Sequence, residues 1–204
     1  MTQLHSPIHV SLSNRSQRQS ILIFFVLTML ASACAHPIHK EFDVYLKDHP
    51  TSLDKVNKEA SYRIDENTRK MSYEFRSVTT GVANLWVVNV GEMLQDYVNV
   101  TLTNSFQKLI EDSGAAVLPL NFYFKINSYR FEDFQAKVDM DIIVRREGIA
   151  IFEKRYSAQG QGQGGKMFWG GAFAQRHAVH QSTHLAFHEI FTQFIADVKQ
   201  NIKE

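Results

Sequence analysis

The chain has 204 residues, 44% hydrophobic and 21% charged, with 22 basic against 21 acidic side chains. That composition excludes a disordered chain, a collagen-like repeat and a multi-pass membrane protein, and the near-balanced charge argues against a dedicated nucleic-acid binder. The length suits one domain with a substantial core, and a single cysteine cannot form an internal disulfide.

Residues 1–20 are polar, with Arg15 and Arg18 as the only charges. The run Ile21-Leu-Ile-Phe-Phe-Val-Leu-Thr-Met-Leu30 follows. It is too short for a bilayer core of about 30 Å, and with the basic lead and the small residues after it the segment reads as a secretory signal. The small residues are Ala31-Ser32-Ala33, and the only cysteine, Cys34, comes next. This arrangement resembles the lipobox of bacterial lipoproteins. The resemblance implies cleavage before Cys34, a diacylglycerol on its sulfur and acylation of its new amine. Ala35 in place of aspartate implies the outer membrane. The alternative is a plain signal cleaved elsewhere, with Cys34 an ordinary core residue. The expected organisation is a signal peptide over 1–33, a lipidated tether over 34–40 and one periplasmic domain over 41–204.

Within that domain, Glu41 to Leu46 alternates, with Phe42, Val44 and Leu46 on one side, which predicts a strand. Leu53 to Glu66 carries no clear pattern. Met71 to Arg76 alternates and predicts a second strand; Leu85 to Val88 is a third strand or a lead-in to a helix. Asn89 with Glu92 has the spacing of a capping box, and Met93, Tyr97, Thr101, Ser105 and Leu109 share a face, predicting a helix to about Asp112 that Ser113-Gly114 ends. Phe122, Phe124 and Ile126 predict another strand. Ala136, Val138, Met140, Ile142 and Val144, alternating with charged residues, predict an antiparallel strand with one wet face. Arg146-Glu147-Gly148 is a turn, and Ile149 to Ala158 returns as its hairpin partner. Gln159 to Gly171 reads as a glycine-rich connector. A last helix over about Ala172 to Ile202 carries an apolar stripe through Val179, Thr183, Ala186, Phe187, Ile190, Phe191, Phe194, Val198 and Ile202. The predicted fold class is α+β, an antiparallel sheet with two main amphipathic helices packed on one face.

Three features bear on chemistry. Gly160, Gly162, Gly165 and Lys166 fit the spacing of phosphate-binding loops, but Met167 stands where a magnesium-binding hydroxyl belongs and the preceding strand belongs to a hairpin. Nucleotide binding is rejected. The segment reads as a loop, with Met167, Phe168 and Trp169 as candidate partner contacts. Next, His177, His180, His184 and His188 make one stripe at helical spacing, about 70° from the centre of the apolar stripe. Such a stripe is a packed or solvated flank, a pH-responsive surface, or a zinc or copper site. His180-Gln-Ser-Thr-His184 lacks the glutamate of a metalloprotease, Gln181 occupying its place. Finally, no nucleophile constellation is present, and no enzymatic activity is expected.

The helix from Met93 to Ile110, the hairpin arm ending Tyr156-Ser-Ala-Gln-Gly160 and the closing helix with Phe194-Ile-Ala-Asp-Val198 resemble small outer-membrane lipoproteins of envelope transport systems. These are the YajG-type lipoproteins and the auxiliary lipoproteins of lipid-transport ABC systems. The resemblance implies a non-enzymatic accessory or assembly subunit that docks on an envelope protein partner. It implies no cofactor beyond the lipid at Cys34, and no nucleotide or nucleic acid. A periplasmic metal-binding lipoprotein is the second reading.

Overall fold

The computed structural model describes residues 35–76, 84–112, 118–162 and 164–202, with backbone alone over 165–173. The chain divides into two units, Met1–Cys34 and Ala35–Glu204, and the first lies outside the described residues. The second is α+β. Its strands are β1 (Ala35–Pro37), β2 (Val56–Ile64), β3 (Ser72–Arg76), β4 (Leu85–Asn89), β5 (Phe106–Glu111), β6 (Leu120–Glu132), β7 (Gln135–Arg146) and β8 (Ile149–Gln159). Its helices are α1 (Phe42–Asp48), α2 (Glu66–Arg69), α3 (Val90–Val100) and α4 (Gly164–Asn201), with a single 3-10 turn at Leu102–Ser105.

Five strands form one sheet in the order β5-β2-β6-β7-β8, and three form a smaller one in the order β1-β4-β3. The alternation predicted for β6 and β7 is present: Phe122, Phe124, Ala136, Met140, Ile142 and Val144 have no exposure. Both β7–β8 turn residues take the left-handed region, Glu147 at φ 51° and Gly148 at φ 83°, as a tight hairpin turn needs. β6, β7 and β8 are antiparallel, while β2 runs parallel to both β5 and β6. The parallel pairs bring in β2, from the stretch without a clear pattern.

The predicted apolar stripe of α4 is buried from Val179 to Ile202. Its aromatic rings meet the sheet edge-on: Phe191 against Phe124 at 5.4 Å and Phe194 against Phe122 at 5.2 Å. Tyr97 of α3 stacks on Phe191 at 5.3 Å. This aromatic layer, the centre of the core, holds both helices on the sheet.

Four expectations change. Glu41 to Leu46 is not a strand. Residues Phe42–Asp48 form α1, burying Phe42, Tyr45 and Leu46, while Val44 is 48% exposed. The burial follows the helical period, not the alternating one. The helix from Asn89 stops at Val100 rather than Asp112. Phe106–Glu111 becomes β5, since its backbone pairs with β2 and its Phe106 and Leu109 are buried beneath it. The tether over 34–40 is ordered from Ala35 on, because β1 pairs with β4 in the register Ala35↔Leu85 and Ile38 is fully buried. The connector from Gln159 to Gly171 is shorter, with β8 reaching Gln159 and helical backbone starting at Gly164. The predicted stop at Ser113-Gly114 lies outside the described residues.

α4 is not straight. Gly164 packs beside the Phe134 ring, and Ser182 Oγ accepts the N–H of Ala136 at 2.8 Å. Phe134 and Ala136 are near neighbours, yet a straight helix from Gly164 to Ser182 would span about 27 Å. The helix axis turns sharply between those points, in the interval that holds the Gly170-Gly171 pair. Among the described residues, no helix is long and apolar enough to cross a membrane.

Candidate functional site

The predicted lipidation residue, Cys34, lies outside the described residues, immediately before β1. Met167, Phe168 and Trp169 fall on the helical backbone at the start of α4, and their side chains lie outside the described residues.

The histidines of α4 do form one stripe, and α1 packs across it. His180 is 4% exposed, and its Nε2 donates to the carbonyl of Ile38 at 2.6 Å. His184 is 3% exposed and shares a hydrogen bond through Nε2 with Thr51 Oγ1 at 3.0 Å. His188 is half-buried, with Nδ1 3.3 Å from the Tyr97 hydroxyl. His177 is exposed. Burial pushes His180 and His184 down to about 4 and also lowers His188. The Ile38 carbonyl opposes the shift at His180.

Tyr45 of α1 sits at the centre of this group. His49 stacks on it at 4.3 Å, and His177, His180 and His184 surround it at 5.5, 5.5 and 5.8 Å. His49 donates from Nδ1 to the carbonyl of Tyr45, four residues back. The stripe is thus an aromatic packing surface for α1. Among the described residues, no three His, Cys, Asp or Glu side chains are placed to hold a metal ion together.

A cleft of about 600 Å³ opens at the end of β2, lined by Arg63, Asp65, Arg69, Glu111, Asp112 and Tyr123 among others. Its charges answer one another. The Asp65 carboxylate accepts two backbone N–H groups of α2 and the hydroxyl of Tyr123. Arg69 pairs with Glu111 and also donates to Gln95. Arg63 reaches Asp112 at 3.4 Å. The tyrosine hydroxyl holds the Asp65 carboxyl below its ordinary value. This network ties the end of β2 to β5 and α2.

The β8 strand differs in kind. It pairs with β7 along its length and forms an edge of the five-stranded sheet, so its other side carries a row of backbone donors and acceptors unpaired by any described strand. Its second half is secured. Tyr156 and Lys154 both donate to Asp197 Oδ2 of α4 at 2.7 Å. Arg155 grips Asp141 through Nε at 2.8 Å and Nη2 at 3.2 Å, and Ser157 donates to Asp139.

Its first half, Ile149-Ala-Ile-Phe152, carries no charge. Ile149 is 75% exposed and Ile151 36%. The register shifts between Val144 and Arg145, where Phe152 faces Val144 and Ala150 faces Arg145. Ile151 is therefore the extra residue of a bulge, a device that re-aims a side chain at a sheet edge. The predicted hairpin arm covered these residues but not their role. The signal was present in four consecutive uncharged residues, three of them β-prone, where a wet strand should alternate.

The chain matches no protein-family model and no curated protein sequence. Among solved structures it is similar to protein XCC0632 of the DUF330 family from Xanthomonas campestris. The TM-score is 0.40 at 12% identity, covering 81% of this chain and 99% of that one. It is also similar to the hypothetical protein CT253 from Chlamydia trachomatis, with a TM-score of 0.43 at 9% identity, covering 72% of this chain and 98% of that one. Likeness at this level carries no argument about activity.

Proposed function

We propose that the protein is a lipid-anchored, non-enzymatic accessory subunit of an envelope complex of the transport type, held at the outer membrane and facing the periplasm. The observation that carries the docking part is the open, uncharged first half of β8. Such an edge accepts an extended segment of a partner by strand addition. Backbone hydrogen bonds supply affinity, and Ile149 and Ile151 supply side-chain contacts. Support for the anchor is the pattern Ala31-Ser32-Ala33-Cys34 after the apolar run Ile21 to Leu30. The resemblance to auxiliary lipoproteins of lipid-transport systems supports the class of complex.

Two measurements test this reading. Intact mass of the membrane-extracted protein, beside Cys34→Ala, is expected to show acyl mass on the wild type alone. A photo-crosslinking residue at Ile151 is expected to capture an envelope protein, with one at exposed Val44 as the control. Capture is expected to disappear in Ile149→Lys. Equal capture from Ile151 and Val44, or none from β8, overturns the docking reading; absence of acyl mass overturns the anchor.

A further inference from the structure

We infer that one pole of the domain, the end where β1 starts, rests against the bilayer that holds the Cys34 lipid, and that Ile149 and Ile151 of β8 project from the opposite pole. This rests on the lipid anchor proposed above and goes beyond it by fixing orientation. The sequence leads one to expect a short tether over 34–40. The structure removes it. Ala35 is already paired in β1. Three residues on, Ile38 donates its N–H to the Val87 carbonyl at 2.8 Å and accepts from His180 Nε2 at 2.6 Å. Since a residue reaches at most about 3.6 Å, covalent continuity alone keeps the start of β1 within one residue of the acylated cysteine.

The register then says what else lies at that pole. Ala35 aligns with Leu85, and Leu85 aligns with Arg76 at the end of β3. β3 packs on β6 in matching order, Tyr73 against Tyr129 at 5.7 Å and Phe75 against Phe131 at 5.4 Å. Moving along β3 toward Arg76 is therefore moving along β6 toward its hairpin with β7. The tip of that hairpin, Asp133-Phe134, lies at the anchored pole, and so does Gly164 beside the Phe134 ring.

Phe134 is a bulky residue held at φ 60°, a conformation such residues rarely take. Its ring is partly buried against the core, so it fixes the tip at the end of the domain closest to the lipid, in the zone where aromatic side chains suit the headgroup layer. The charges around the tip compensate one another, Lys137 lying 3.3 Å from Glu132 and 3.9 Å from Asp133, and Arg130 3.9 Å from Glu132. No acidic excess repels an anionic surface. From Gln135 to Arg146, β7 runs away from this pole for about 37 Å at 3.4 Å per residue. The exposed isoleucines follow directly after the far turn, well clear of the headgroups and open to a periplasmic partner.

The test uses the full, acylated chain, whose one cysteine is consumed by lipid, so that an engineered cysteine is the only thiol. Asp133→Cys and Ile149→Cys are labelled with a small fluorophore and reconstituted into phosphatidylethanolamine–phosphatidylglycerol vesicles containing a lipid with a nitroxide on its headgroup. Arg76→Cys serves as a second probe of the near pole, in case the hairpin tip does not accept the label. The expected result is quenching several-fold stronger at 133 and 76 than at 149. Inserting a flexible Gly-Ser linker of about 20 residues after Cys34, with a span of ~25 Å, is expected to erase the difference. Equal quenching at both poles of an acylated protein, or a difference that survives the linker, overturns the orientation and leaves the anchor standing. An intact mass without acyl groups overturns both.

Discussion

Gly160 is the position where one methyl group should do most damage. Its backbone N–H donates to the Ala136 carbonyl at 2.8 Å, so β8 ends tight against β7. A Cβ added there would lie 1.9 Å from the Ser182 carbonyl oxygen, 2.3 Å from its Oγ and 2.5 Å from its carbonyl carbon. Those are mostly backbone atoms of α4, so no side chain can swing aside. The helix must retreat by about 1 Å at Ser182, and Ser182 Oγ is also the acceptor for the buried N–H of Ala136 at 2.8 Å. Overpacking costs about 1–3 kcal/mol, and an orphaned buried donor a similar amount. Gly160→Ala should therefore destabilise by about 3 kcal/mol and lower Tm by about 6–12 °C for a chain of this size. At Gly162 an added Cβ meets only the Gln135 side chain, at 3.0 Å, so Gly162→Ala should shift Tm by no more than a degree or two. The assay is thermal unfolding of purified protein by circular dichroism. Similar Tm values for wild type and Gly160→Ala would refute the close-packing account of this glycine and reopen a ligand-binding role for the Gly160–Gly165 segment.

The remaining predictions concern titration and buried polarity. His180 and His184 are held near 4, below the unfolded value of 6.5, so the unfolded chain binds protons first as pH falls. Their contribution is complete above the unfolded value and is lost between 6.5 and about 4, on the order of 2 kcal/mol each. Arg176 and His177 beside His180, and His188 and His49 beside His184, push the same way. Tm measured across this window should fall, and His180→Gln with His184→Gln should flatten the slope; a double variant parallel to wild type would refute it. Asp96 has the opposite sign. Burial first, then Asp43 and Glu92, raise it to about 6, so its charge is unfavourable at neutral pH and relieved on acidification. Since the group is only half-buried, Asp96→Asn should raise Tm by about 2–4 °C at neutral pH, a gain of ~1 kcal/mol, with no gain at pH 4. The Tyr129 hydroxyl, fully buried, meets Thr183 Oγ1 at 2.8 Å. Tyr129→Phe should cost about 1–2 kcal/mol, read in denaturant unfolding, and the double change with Thr183→Val should cost less than the sum.

How much of this the sequence disclosed follows from the range of the interactions concerned. The β6–β7–β8 meander was legible because each strand pairs with its neighbour in the chain and buries alternate residues, a local signal. The α4 stripe was legible for the same reason. β2 was not, since Val56–Ile64 pairs in parallel with strands far along the chain and buries Ala60, Ser61 and Tyr62 in succession, so alternation is absent. β5 was hidden behind helical spacing that extended that of α3 past its end. The glycines were visible but their reason was not, because Gly160 is required by Ser182, a residue on another element.

The environment of the histidine stripe depends on whether Phe42–Asp48 is a strand or a helix. Its spacing follows from the period of α4, and its surroundings are set by α1. Phe42, Val44 and Leu46 fit an alternating pattern, while Phe42, Tyr45, Leu46 and His49 fit a helical one; both lie in the same eight residues, and propensity does not separate them. Burial does: Tyr45 is 8% exposed and Val44 48%. As a strand, this segment would have turned Tyr45 away from its neighbours and left the stripe a free flank, open to solvent or a metal. As a helix, it brings Tyr45 against His177, His180 and His184 and carries His49 around to stack on it. Two of the imidazoles are thereby desolvated, and the acid sensitivity predicted above depends on that. The same helix follows the buried Ile38, so the packing that occupies the histidines also takes up the slack in the first residues after Cys34. One element, α1, thus decides what the stripe does.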